Sequence, residues 1–178
     1  YSEEAINERT QNLARDIVDE CRSLGVEEIV VIAVLRGAVD FKNLLVRKLY
    51  GANPELHICE DYTICSRYGD AFESDRNLEV KLDLATDIQG RYVLVVEDIV
   101  DKGHTMKGVL DIFGSKNPGY LRACVLLDKA CKREVEVPLA YVAFGNVPDV
   151  FVVGFGLDYK EHCRNWPFVA ELKTEFYS

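Results

Sequence analysis

The chain has 178 residues, 48% of them hydrophobic and 29% charged, and its 30 acidic against 21 basic side chains leave a net charge of −9. That is the composition of one folded unit with an ample core, with no apolar run long enough to cross a bilayer and no signal-peptide pattern at the start. The acidic balance, relieved by no basic run, disfavours nucleic-acid binding, which needs cationic surface to displace counterions.

Ser2 reads as an N-cap for an amphipathic helix over residues 3–23, with Ile6, Leu13, Ile17, Val18 and Cys21 at near-helical spacing and Gly25 as its stop. The run Ile29 to Leu35 is continuously apolar and mostly β-branched, the pattern of a strand covered on both faces in a parallel sheet. Gly37 punctuates, residues 38–50 read as a second helix, and 56–65 as another strand. From Ser66 to Asn77 (SRYGDAFESDRN) the chain turns polar without periodicity. Such a stretch inside a compact domain is either a plain hairpin or a functional lid, and the lid is favoured. Buried strands follow at 92–96 and 121–127, a helix at 106–113, and shorter strands at 141–144 and 150–153. Recurring strand and helix predict an α/β fold, a largely parallel twisted sheet flanked by helices. One domain over residues 1–178 is expected, with a small subdomain from about 145 to 178 completed by whatever precedes Tyr1.

The six cysteines and three histidines are scattered, with no C-x-x-C pair and no zinc-type spacing, so reduced thiols of an intracellular protein are expected. P-loop, dinucleotide and nucleophile-elbow motifs are absent: Gly154 and Gly156 form G-x-G, but Tyr159 stands where the third glycine belongs.

The informative segment is VLVVEDIVDKGHT, residues 93–105. A buried strand runs into Glu97, Asp98 and Asp101, then a turn through Gly103, then a helix. Ligands of open α/β sheets bind beyond the carboxyl ends of the strands. The free N–H groups of a helix start favour phosphate, and Gly103 lets the backbone come close. Acids beside a phosphate cradle suit a phosphorylated sugar bound with Mg²⁺, because hydroxyls and the cation both seek carboxylate oxygen.

That segment resembles the phosphoribosyl-pyrophosphate motif of type I phosphoribosyltransferases, in the Glu-Asp-Ile-Val-Asp form of the hypoxanthine-guanine (6-oxopurine) branch. The likeness covers nearly the whole chain. Val34-Leu35-Arg36-Gly37 is similar to the family's pyrophosphate loop, Ser66-Arg67-Tyr68-Gly69 to the start of its lid, and Leu127-Asp128-Lys129 to its purine-recognition strand. Phe151 through Tyr159, with Arg164 after it, is similar to the hood over the base.

The resemblance implies the type I phosphoribosyltransferase fold with a small hood, and purine salvage: transfer of a 5-phosphoribosyl group from phosphoribosyl pyrophosphate to hypoxanthine or guanine, with xanthine left open. It places Glu97 and Asp98 on the ribose hydroxyls and Mg²⁺, and Asp101 near purine N7 as the catalytic acid/base. Ile99, Val100, Lys102, Gly103, His104 and Thr105 complete the phosphoribosyl site. Leu35, Arg36, Gly37 and Arg164 fall on pyrophosphate, with the Leu35–Arg36 peptide bond expected cis. Lys129 would donate to the purine O6, Phe151 would stack on the base and the Val152 backbone would read its edge. Asp158 borders the purine site and would hold a second Mg²⁺. Ser66, Arg67 and Tyr68 begin the lid, expected over 66–79.

By the same resemblance the protein is a homodimer or homotetramer acting on small molecules in the cytoplasm, with no nucleic-acid or membrane partner; an organelle address in a terminal segment stays open. Three departures stand out: Arg67 replaces a common Ser, Lys102 a common Thr, and Trp166-Pro167 smaller residues. Other readings are the same fold with another base, a non-catalytic regulator that keeps the phosphoribosyl-pyrophosphate cradle, and an interaction protein on a retired enzyme fold.

Overall fold

In a computed structural model of the chain, residues 1–67 and 78–176 are described, Ser66 and Arg67 by backbone alone. The expected lid therefore shows only its borders, and Tyr68 lies outside the described residues.

Helix α1 (Glu3–Leu24) starts where the Ser2 side chain accepts from Ala5 N at 3.3 Å and ends at Gly25, which takes φ 66° while its N–H returns to Arg22 and Cys21 carbonyls. Strand β1 (Glu28–Val34) and helix α2 (Val39–Ala52) follow, with Leu35 in the turn rather than the strand. Then come β2 (His57–Arg67), β3 (Leu78–Leu82), β4 (Tyr92–Val100), α3 (His104–Gly114), β5 (Tyr120–Asp128) and β6 (Leu139–Phe144). The last two strands, β7 (Val152–Val153) and β8 (Ala170–Glu171), form a separate antiparallel pair.

Among the described residues the main sheet has six strands in the order β3-β2-β1-β4-β5-β6. All pairs are parallel except β2 with β3. The parallel α/β reading holds, with four corrections. β2 runs two residues past the expected end, to Arg67, and Ser66 and Arg67 pair with Glu79 and Leu78. β3 was not expected: LEVKL alternates, but its apolar side is only half-buried, so it lacks the dense run of an inner strand. The acids are strand residues, because β4 continues through Glu97 and Asp98 to Val100. Only Val152 and Val153 of the expected 150–153 strand are paired.

Alternation along β1 and β4 splits the core. Ile29, Val31, Leu94 and Val96 face α1 and α2, packing with Ile17, Phe41 and Leu45, while Val30, Ile32, Val93 and Val95 face α3 with Met106, Val109 and Phe113. Each such side chain contributes about 1.5–3 kcal/mol on burial. The covering of both faces fixes the register and gathers the carboxyl ends of β1, β4 and β5 at one edge of the sheet.

Candidate active site

Three turns leave that edge. β1 leads to residues 35–37, whose Leu35–Arg36 peptide bond is cis as expected. β4 leads to residues 101–103 and the start of α3, and β5 to Lys129. Contacts between the turns are tight. A Cβ on Gly37 would lie 1.7 Å from Asp98 Oδ2, and one on Gly156, at φ 97°, would lie 1.9 Å from the Gly37 carbonyl oxygen. Only glycine allows the first turn to wedge between the β4 acids and the C-terminal segment.

A cavity of about 300 Å³ is lined by Glu97 and by every residue from Ile99 to Met106. Gly103, at φ 94°, turns the chain into α3, and its Cα packs so closely that a Cβ would meet Arg133 Cδ, Val135 O and Val137 Cγ2, each at 2.9 Å. Arg133 buttresses the turn: its Nη1 donates to the Asp101 carbonyl at 3.1 Å and its Nη2 to the Asp128 carboxylate. The Glu134 and Val135 amides donate to the Lys102 carbonyl at 3.0 and 3.3 Å. Residues 133–137 are thus the back wall of the cradle.

Electrostatics mark this edge. Burial, then the neighbouring Asp98 charge, push the Glu97 carboxyl up to about 8. Burial raises Asp98 to about 6 although the Ile99 amide and the Arg164 charge pull the other way. Among the described residues, two buried side-chain polar atoms lack a hydrogen-bond partner, Asp101 Oδ1 and Arg164 Nε. Leaving such a group unpaired costs roughly 1–3 kcal/mol, so orphans of this kind point to a ligand.

Lys129 is buried, its N–H on Val100 O at 3.0 Å and its ammonium donating to Val150 O at 2.7 Å. Phe151 meets the Tyr159 ring edge-on at 5.7 Å, and Val152 pairs with Glu171. Arg164 donates to Gly156 O and pairs with Asp158, both at 2.7 Å. The other Asp158 oxygen accepts from Glu161 N at 2.8 Å, and Arg36 reaches Glu161 at 3.2 Å. The structure therefore gathers the 35–37, 97–105, 129 and 151–164 groups at one edge. Among the described residues no three His, Cys, Asp or Glu side chains assemble around one point, so Glu97 and Asp98 stand apart from Asp158, which was expected on a second ion.

Sequence reasoning missed Arg133, Glu134 and Glu161, which no motif or period marks; their partners meet them only once β4, β5 and the C-terminal segment are side by side. It also missed Lys42, fully buried in α2, whose ammonium donates to Glu60 and, at 2.8 Å, to the Tyr62 hydroxyl.

A family profile described as phosphoribosyl transferase domain matches residues 2–160. The hypoxanthine-guanine phosphoribosyltransferase of Dictyostelium discoideum is 35% identical over 99% of this chain and 96% of its own. The hypoxanthine phosphoribosyltransferase of Salmonella typhimurium is 37% identical over 96% and 92%. The solved structure of a mutant hypoxanthine phosphoribosyltransferase from Trypanosoma cruzi, a ternary substrates complex, superposes with a TM-score of 0.94 at 33% identity, covering 100% of this chain and 96% of that one.

Proposed function

The chain belongs to the phosphoribosyltransferase family, in its hypoxanthine-guanine branch, and from that premise we propose how its own residues carry the reaction. The enzyme transfers the 5-phosphoribosyl group from phosphoribosyl pyrophosphate to hypoxanthine or guanine, releasing pyrophosphate and the nucleoside monophosphate, a purine-salvage step. The observation that carries the site assignment is the pair of orphaned buried atoms, one carboxylate oxygen and one guanidinium nitrogen, on two residues assigned to substrate.

The 5′-phosphate occupies the cavity at the start of α3, held by N–H groups of residues 101–105 and by the helix dipole. Glu97 and Asp98 accept from the ribose hydroxyls. Loss of pyrophosphate builds positive charge on the sugar, as in glycoside cleavage, and Arg36 and Arg164 take the leaving group's negative charge. Asp101 Oδ1 holds the proton of the purine ring nitrogen while the base bonds to the sugar carbon. Lys129, an ammonium with donors and no acceptor, gives up Val150 O for the purine oxygen, which disfavours adenine. Phe151 stacks on the base beside the Val152 backbone. Residues 66–79 would close over the site and exclude water.

Mg²⁺ fits this donor set: Glu97 and Asp98, adjacent carboxyls both held up by burial, would hold the cation through carboxylate oxygen. When bound, it supplies charge neutralisation for the pyrophosphate. Asp158, both of whose oxygens are engaged, enters only if Arg164 turns to the pyrophosphate. All six cysteines are free, which suits a reducing cytoplasm, and no described helix is long and apolar enough to cross a membrane. Assembly as a homodimer or homotetramer belongs to the same proposal and rests on the family.

The test is product formation from phosphoribosyl pyrophosphate and Mg²⁺ with hypoxanthine, guanine, xanthine and adenine in parallel. Nucleotide from hypoxanthine and guanine but not adenine is expected. No nucleotide from any base, with phosphoribosyl pyrophosphate still bound, would move the chain to a regulator.

A further inference from the structure

The basic side chains of the phosphate cradle already have an anion. Lys102 Nζ lies 2.6 Å from one oxygen of Glu134, and His104 Nε2 lies 2.7 Å from the other. A carboxylate only accepts, so His104 donates through Nε2. The backbone brings Glu134 within reach, since its own amide is tied to the Lys102 carbonyl and the Arg133 guanidinium to the Asp101 carbonyl. The Glu134 backbone is therefore anchored beside the turn that lines the cavity, and its carboxylate sits between two basic side chains of that turn. Lys102 and His104 both line that cavity, and Glu134 does not.

We propose that Glu134 is an internal counter-ion of the 5′-phosphate site, one that holds Lys102 and His104 until a phosphate takes them over and so sets the affinity of the cradle for phosphorylated ligands. Its chemistry supports exchange: one carboxylate spread across two donors is a geometric stand-in for two oxygens of a phosphate. Lys102 and Glu134 are each about half exposed, at 55% and 47%, so their pair is weak enough to be displaced. A phosphate carries more charge and more acceptor oxygens, and the backbone N–H groups it also meets are out of reach of a carboxylate on the back wall. The same arrangement accounts for Lys102 where the family commonly has Thr. A lysine adds a full charge to the cradle, and Glu134 offsets it in the empty enzyme. Without that offset, product nucleotide would leave more slowly.

The inference rests on the reading of residues 101–105 as a phosphate site. The experiment is calorimetric titration of the full chain with inosine monophosphate, alongside inhibition by inorganic pyrophosphate, for the wild type, Glu134→Gln, Lys102→Thr and the double variant. Glu134→Gln keeps the size and the amide tie. It should tighten inosine monophosphate binding by about three- to fivefold, the scale of a half-exposed ion pair. Pyrophosphate inhibition, at the other anion subsite, should not move, which a general change of charge or fold would not allow. In the Lys102→Thr background the Glu134→Gln effect should shrink, because the cation it frees is gone. Unchanged or weaker binding in Glu134→Gln, with an unaltered melting temperature, overturns the counter-ion role. A wild type that binds no inosine monophosphate overturns the site assignment itself.

Discussion

The two ends of the central strands treat acid in opposite ways. At the amino end, Glu20 of α1 accepts from both Arg122 Nε and Nη2, at 2.9 and 2.7 Å, from the Tyr92 hydroxyl at 2.9 Å, and from the Tyr141 hydroxyl. Burial pushes its carboxyl up, but hydrogen bonds from Tyr141, Arg122 and Tyr92 outweigh it, and the group lies below the usual carboxylate range. At the carboxyl end, Glu97 and Asp98 are held above that range and Asp101 keeps an oxygen without a partner. The same residue types, at opposite ends of one sheet, are structural where the protein surrounds the carboxylate with donors and are assigned to substrate where it leaves them short.

The largest effect expected from this contrast is catalytic. Asp101→Asn removes the proton acceptor without changing volume, and kcat should fall about 10²–10⁴-fold while the KM for phosphoribosyl pyrophosphate changes little. Steady-state kinetics with hypoxanthine check this, and equal losses in both constants would place Asp101 in binding instead. Gly156→Ala strains a positive-φ residue and drives a methyl into the Gly37 carbonyl. We expect a loss of about 3 kcal/mol in urea unfolding, from overpacking and backbone strain together.

Glu20→Ala sharpens the comparison from the other side. It removes the acceptor shared by two tyrosine hydroxyls and a guanidinium, and should cost about 2 kcal/mol of stability, read by chemical unfolding, with kcat unchanged. A fall in kcat of the folded protein would show the two ends to be coupled. The smallest effect is in pH. Glu20 is lowered from 4.5, so its contribution is complete above about pH 4.5 and is lost as pH falls through its folded value. Glu97 and Asp98, raised to about 8 and about 6, keep protons that the unfolded chain has released, so stability of the ligand-free protein declines as pH rises from about 4.5 to 8. Melting temperature should fall steadily between pH 5.5 and 8. Glu97→Gln should flatten that slope, and an unchanged slope would assign it elsewhere.

How much of this was legible in the sequence differs between the ends. Ile29 to Val34 and Tyr92 to Val96 carry their burial in their composition, and Glu97, Asp98, Asp101 and Gly103 stand together in one short motif, so the inner strands and the cradle could be read directly. Glu20, Tyr92, Arg122 and Tyr141 lie on four elements and meet only through the fold, so nothing local distinguishes Glu20 from the exposed acids around it. Lys42 is hidden for a similar reason: a lysine on a helix reads as solvent-facing until β2 brings Glu60 and Tyr62 beneath it. β3 was lost because an edge strand needs only half a hydrophobic pattern. Arg133 belongs to the site through a backbone carbonyl, which carries no residue identity, and Glu134 through side chains some thirty residues earlier in the chain, which no local pattern joins to it.

The pairing of β1 with β4, Ile29 against Tyr92 through Ala33 against Val96, also governs how the molecule is made. The first strand waits for its central neighbour while α2, β2 and β3 are synthesised between them. Contacts of such sequence separation close slowly and leave apolar surface open in the meantime. A nascent chain stopped short of Tyr92 presents one uncovered edge of β1 and no substrate turn after β4, so the centre of the sheet and the phosphate cradle are supplied by the same stretch of chain.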